Sequence, residues 1–167
     1  MQHRAVADAG DAPYILATER NCMRIVQTRL SITTAPREIR EITDEITRWV
    51  ESQRISTGLL TVYITHTSAS LLIQESYSPD VRRDLDAFLR RIVPEDVALY
   101  RHNDEGPDDM PAHIKSALTQ TQLTIPVTDG RLQLGTWQGI FLLEHRASPH
   151  RRELVLTLIG EEAHPSA

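Results

Sequence analysis

Pro79 lies between a serine and an aspartate, and this triplet constrains the 167-residue chain more than any other feature. At a first helical position the missing proline N–H costs nothing, Ser78 can cap the turn, and the Asp80 charge suits the positive helix start. Val81, Leu85, Phe88, Leu89 and Ile92 then recur at helical spacing until Pro94 stops the run. Residues 59–65 differ in kind, with Val62, Tyr63 and Ile64 giving the β-branched and aromatic content of a strand, and 70–73 reads as another. Upstream, the alternation from Met23 to Ile32 predicts an opening strand. Thr34 and Pro36 then start a helix whose apolar face is Ile39, Ile42, Ile46, Trp49 and Val50, and Gly58 ends the connection. Downstream, a polar loop at 100–111 leads to a short helix over about 112–119. Strands at 123–127, 132–134, 137–143 and 154–159 follow, with a turn at Asp129-Gly130. The expectation is one α+β domain over residues 21–162, a largely antiparallel sheet system with two main helices and one short one. Residues 1–20, rich in Ala and Asp, are expected to be a flexible extension with a short contact at 14–16.

Composition narrows the function classes. Lys+Arg 18 against Asp+Glu 23 gives a net charge of −5, the wrong sign for a nucleic-acid binder working through a basic surface. No apolar run approaches the roughly 20 residues of a membrane helix, and the N-terminus lacks the basic and apolar regions of a signal peptide, so the expected location is the cytoplasm. A single cysteine, Cys22, excludes an intramolecular disulfide framework and a cysteine-cluster metal site. Histidine is the unusual component, with seven residues.

Position sorts them. His3 and His164 are terminal, and His150 sits in a polar turn beside Arg151 and Arg152. His66 closes a strand on the face of Leu60, Val62 and Ile64, where a lone histidine is more often bonded to backbone than to a ligand. His102 falls in the acidic loop, for which solvent exposure is the simpler account. His113 falls in the first turn of the short helix, where a capping role explains Asp108 and Asp109. Three imidazoles on separate elements can converge on one divalent ion, zinc before others, but positions 66, 102 and 113 match no local metal signature.

Three motifs carry a resemblance. His66-Thr67-Ser68-Ala69-Ser70 with Glu75 and Ser78-Pro79-Asp80-Val81 is the first. Tyr100-Arg101-His102-Asn103, Glu105-Gly106 and Asp108-Asp109-Met110-Pro111-Ala112-His113-Ile114-Lys115 make the second. Gly130-Arg131-Leu132 with Leu134-Gly135-Thr136-Trp137-Gln138, followed by Glu144-His145-Arg146, is the third. In this order they resemble the YjbQ family, whose members are usually labelled secondary thiamine-phosphate synthases, over about residues 22–160. Two positions depart from the family pattern: Gln74 stands where Asn is common, and Ser78 where Asp often precedes the proline.

The resemblance implies an α+β fold with a mixed, sandwich-like sheet and a homotrimer. It places a pocket near subunit boundaries containing His66, His102 and His113, the expected metal ligands. The implied reaction joins hydroxymethylpyrimidine diphosphate to thiazole phosphate, although the chain has neither a phosphate-binding glycine loop nor an Asp-rich diphosphate–magnesium motif. The alternative is a non-catalytic metal- or ligand-binding trimer. Glu75 and Asp109 are the candidates for general base or for orienting the histidines. Thr67, Ser68, Ser70, Gly135, Thr136, Trp137, Gln138 and Arg146 are the candidates for holding a phosphorylated small molecule.

Overall fold

The computed structural model describes residues 23–162. The expected extension at 1–20, its contact at 14–16, and His3, Cys22 and His164 lie outside the described residues.

Eight strands and three helices follow one another as β1 (Met23–Thr33), β2 (Ile39–Glu41), α1 (Thr43–Ser52), β3 (Ile55–Ile64), β4 (Ala69–Glu75), α2 (Pro79–Ile92), α3 (Asp109–Leu118), β5 (Gln122–Thr128), β6 (Arg131–Leu132), β7 (Gln138–Glu144) and β8 (Arg151–Glu162). A single 3₁₀ turn at Val97–Leu99 precedes α3. The strands form a five-stranded sheet in the order β1-β8-β3-β5-β6 and a three-stranded sheet in the order β2-β7-β4, with antiparallel pairing throughout the described residues. This is the expected α+β class.

Alternation explains the layers. The inward residues of the large sheet (Leu60, Val62, Ile64, Ile125, Leu154, Leu156, Leu158) meet Leu71, Ile140 and Leu142 of the small sheet, and Ile42, Ile46 and Val50 of the α1 segment complete this core. On the opposite face of β7, Phe141 and Leu143 are buried, with the Arg82 guanidinium of α2 lying over the Phe141 ring at 5.6 Å. Gly58 and Gly160 face one another across β3 and β8, and a Cβ on Gly160 would stand 2.2 Å from the Thr57 carbonyl. Glycine is required there by close approach.

Three expectations need correction. The first helix does not start near Thr34: Ile39–Glu41 pairs with β7, and α1 begins only at Thr43. Ile39 and Ile42 keep helical spacing by coincidence: Ile39 lies in β2 and is only partly buried, whereas Ile42 precedes α1 and is fully buried in the core. Gly58 lies inside β3 rather than ending a connection, and the short helix starts at Asp109 rather than about 112. The second main helix forms as expected, with Ser78 Oγ accepting from Asp80 N at 3.3 Å.

Candidate functional site

The short loop between β3 and β4 brings His66, Thr67 and Ser68 to one end of the small sheet. Because β4 and β7 are antiparallel, with Ala69 opposite Glu144, the residues leaving β7 arrive at the same end. Helix α3 packs there too, its Ser116 Oγ donating to the Ala69 carbonyl at 3.0 Å.

Arg146 organises the cluster. Its Nε donates to Asp108 Oδ2 at 3.0 Å. Its Nη1 donates to Glu105 Oε2 and to Asp109 Oδ1, each at 2.9 Å, and its Nη2 donates to the Glu105 carbonyl at 2.9 Å. Burial pushes the Asp108 carboxyl up, but the Ala147 N–H and the Arg146 guanidinium outweigh it and hold the group below the ordinary range. The Arg146 bond holds Glu105 low as well. One guanidinium thus faces three carboxylates, which leaves two negative charges over.

Two imidazoles close on the third carboxylate. His102 Nε2 lies 3.0 Å from Asp109 Oδ2, and His113 Nε2 lies 3.4 Å from Asp109 Oδ1. His113 Nδ1 is 3.0 Å from the Thr67 carbonyl, which can only accept, so Nδ1 carries a proton, and in the neutral ring Nε2 presents its lone pair to the carboxylate. Asp109 Oδ2 is buried without a hydrogen bond. The ligand atoms of His102, Asp109 and His113 all lie within 4.8 Å of one another. A tetrahedral ion with ligands at about 2.0–2.1 Å asks for separations of about 3.4 Å. Facing acceptors, an orphaned buried oxygen and surplus negative charge fit a divalent cation.

The other expected site residues are placed as follows. His66 stands outside this group. Its Nε2 accepts the Glu153 N–H at 2.8 Å, which forces the proton of the neutral ring onto Nδ1 and leaves no lone pair for a metal. Arg146 gives four of its five N–H donors to the Asp108, Asp109 and Glu105 carboxylates and the Glu105 carbonyl, and its charge is already matched by the acids, which argues against a phosphate-holding role. Thr67 contributes its carbonyl. Ser68 Oγ accepts from Arg152 Nη2 at 3.2 Å, and its carbonyl accepts from the same nitrogen at 3.3 Å. Ser70 is buried, 2.8 Å from His145 Nε2 and 2.6 Å from Thr119 Oγ1, so its hydroxyl serves the interior.

Glu75, Gly135, Thr136, Trp137 and Gln138 are carried to the far end of the sheet. Glu75 pairs with Gln138, and six residues of extended chain put it about 20 Å from Ala69. There Ser76 N donates to the Trp137 carbonyl at 2.9 Å, Gln138 Oε1 accepts from Gly135 N at 2.8 Å, and Tyr77 and Trp137 stack edge to face at 5.1 Å. An open cleft of about 460 Å³, lined by Leu72, Ile73, Gln120, Gln122 and Gln138 among others, lies toward this end.

Sequence reasoning missed Arg152. It is buried, and its Nε and Nη2 donate to the two oxygens of Glu144, which also accepts from Thr34 Oγ1 at 2.7 Å. The available signal was Glu144 itself, a charged residue closing an otherwise buried strand. His145, next in the chain, is buried and pushed down to about 4, by burial first and then by Lys115. Lys115 is buried 3.9 Å from Glu95, and its ammonium is lowered chiefly by that burial. Among the described residues no helix is long and apolar enough to cross a membrane.

Comparison with known proteins agrees with this architecture. Residues 28–161 match the model of the UPF0047 protein YjbQ-like family. The UPF0047 protein sll1880 of Synechocystis is 51% identical over 135 residues, covering 81% of this chain and 92% of that protein. The UPF0047 protein YugU of Bacillus subtilis is 34% identical, over 77% of this chain and 94% of its own. Among solved structures, a yjbq/upf0047 family protein from Clostridium acetobutylicum superposes with a TM-score of 0.71 at 32% identity, over 78% of this chain and 98% of that one. A YbjQ-like protein of unknown function from Sulfolobus solfataricus has a TM-score of 0.77 at 23% identity, covering 84% and 100%. The chain therefore belongs to the YjbQ-like family UPF0047.

Proposed function

We propose that the protein is a small enzyme that holds one divalent cation through His102, Asp109 and His113 and acts on a phosphorylated small molecule. The observation that carries the cation is the Nε2 of a neutral His113 facing an already hydrogen-bonded carboxylate 3.4 Å away, whose other buried oxygen makes no hydrogen bond and lies 3.0 Å from His102 Nε2. Two acceptors face each other stably only with a proton or a cation between them. Two imidazoles and a carboxylate put zinc ahead of harder ions.

Such an ion supplies Lewis-acid stabilisation of charge on a phosphate or diphosphate oxygen. The chain does the rest. Thr67 fixes the tautomer of His113 through its carbonyl. Arg146 holds Asp109 in place, while Glu105 and Asp108 keep that guanidinium from neutralising it. His102, half exposed, meets arriving ligand first.

As the reaction we propose thiamine-phosphate formation from hydroxymethylpyrimidine diphosphate and thiazole phosphate, the activity that the motif resemblance implies. The test joins metal analysis with an assay. Metal-replete protein should carry about one ion per chain and form thiamine phosphate. His102→Ala, His113→Ala and Asp109→Asn should lose the ion, with a 10-fold or greater fall in turnover. Less than about one tenth of an ion per chain overturns the cation, and wild-type turnover in all three variants overturns the catalytic reading.

We also propose self-association as a homotrimer. Ile25, Ile159 and Leu59 lie in register across three strands with their side chains exposed, and Phe88, Ile92, Val97 and Leu99 are also exposed. Surfaces of this kind mark association sites. Sedimentation equilibrium should give three times 18.9 kDa. A monomer mass at micromolar concentration overturns it.

A further inference from the structure

The loop that fixes His113 also carries His66, one residue before Thr67, and the chemistry on that side is inverted. His66 Nε2 is occupied by the Glu153 N–H, so the neutral ring has its proton on Nδ1. That Nδ1 lies 3.5 Å from Arg152 Nη1. Arginine only donates, so the contact pairs two donors and is not a hydrogen bond. Arg152 is buried; its Nε and Nη2 are taken by Glu144 and Ser68, and among the described residues Nη1 reaches no oxygen acceptor. Burial, and then Arg152, hold the His66 ring below its ordinary value, consistent with a neutral ring.

Two donors 3.5 Å apart lack an acceptor between them. An oxygen about 2.8 Å from both nitrogens completes the triangle. Ser68 adds a third donor, because its Oγ accepts from Arg152 and keeps its own proton free. His66 is only half buried, which leaves the pair approachable from solvent.

We propose that His66 Nδ1–H, Arg152 Nη1–H and Ser68 Oγ–H form an oxyanion subsite that binds one oxygen of a phosphoryl or carboxylate group. It lies one residue along the chain from the carbonyl that orients His113, so a ligand engaging both would present its anion here. The subsite is built from the chain's own donors and stands whether or not a cation occupies the neighbouring cluster. It deepens the phosphorylated-ligand part of the proposed function by giving the anion its anchor.

The probes are inorganic phosphate and acetate, added to metal-stripped full-length protein and read by imidazole ¹⁵N resonances. Phosphate should shift His66 Nδ1 and slow exchange of its proton, leaving His113 unmoved. A millimolar dissociation constant is expected for one charged and two neutral donors. Binding should weaken at least 10-fold in His66→Phe and in Arg152→Lys. It should stay within about 3-fold in His66→Gln, whose amide can both accept from Glu153 and donate to the anion. Acetate binding as tightly as phosphate makes the subsite a carboxylate site, and inert acetate makes it a phosphoryl site; either supports the proposal. His66 resonances indifferent to 50 mM of both anions overturn it, as does equal binding by folded His66→Phe. Should His66→Phe not fold, the wild-type resonances decide alone. Phosphate binding that appears only with added zinc and disappears in His113→Ala places the anion on the ion and also overturns the subsite. Failure of the cation reading leaves the metal-stripped titration unchanged, so the two failures are separable.

Discussion

The two ends of the three-stranded sheet are built on opposite principles. At the Ala69–Glu144 end, charged and polar groups are buried and committed to one another: Arg146 to three acids, Arg152 to Glu144, Ser70 to His145. At the Glu75–Gln138 end, the conspicuous side chains are exposed, Tyr77 at 76% and Trp137 at 59%, and they touch mainly each other. The first end is rigid because every buried charge must keep its partner. The second is held by backbone hydrogen bonds and a ring contact, and its side chains can change without disturbing the core. The same pair of strands therefore separates a chemically dense site from an adaptable surface.

Substitutions should expose that asymmetry, most strongly at Arg146. Arg146→Leu leaves buried carboxylates unpaired and is expected to cost about 3–5 kcal/mol in urea unfolding. A loss under 1 kcal/mol would mean that the acids relax into water and that the end is not rigid.

Acid should act through His145. In the unfolded chain it takes a proton near pH 6.5, in the folded protein only near 4, so protonation favours unfolding. Its contribution stands in full above pH 6.5 and is lost as pH falls toward 4, in total about 3 kcal/mol. The paired carboxylates Asp108 and Glu144, also held low, add a loss of the same sign at more acid pH. Equilibrium unfolding at pH 7 and 4.5 should therefore show a steeper decline in wild type than in His145→Gln. Parallel declines would remove His145 from the account.

Ser70→Ala should cost about 1–2 kcal/mol, since it strips a buried partner from His145 and Thr119. The smallest effect belongs to the other end: Trp137→Ala should change monomer stability by no more than about 1 kcal/mol. A loss matching that of Arg146→Leu would erase the contrast between the ends.

Local chemistry made much of the fold legible. Ser78 and Pro79 mark the start of α2, alternation marks β1 and β5, and Asp129-Gly130, both at positive φ, marks the hairpin between β5 and β6. β2 was not legible, because three residues are too few to show a period and Ile39 and Ile42 imitate a helical face. In the site, His102, Asp109 and His113 stand out because they are close in the chain and share one loop and one helix start. His66 could not be separated from them by sequence. What occupies its Nε2 is a backbone N–H 87 positions away, a contact created by the pairing of β3 with β8. Arg152 read as a solvated turn residue, since the charge of Glu144 at the end of β7 calls for a buried partner but nothing in the sequence shows that Arg152 is the one brought to it.

Lys115 is the sole lysine of the chain, and its amine is enclosed beside Glu95 and a cavity of about 10 Å³, room for one water. An amine-directed reagent can reach that nitrogen only when the packing of α3 against α2 and the small sheet opens. Acylation at Lys115 is thus a single-site clock for opening of the wall that carries His113, and its rate measures how often the folded chain uncovers that wall.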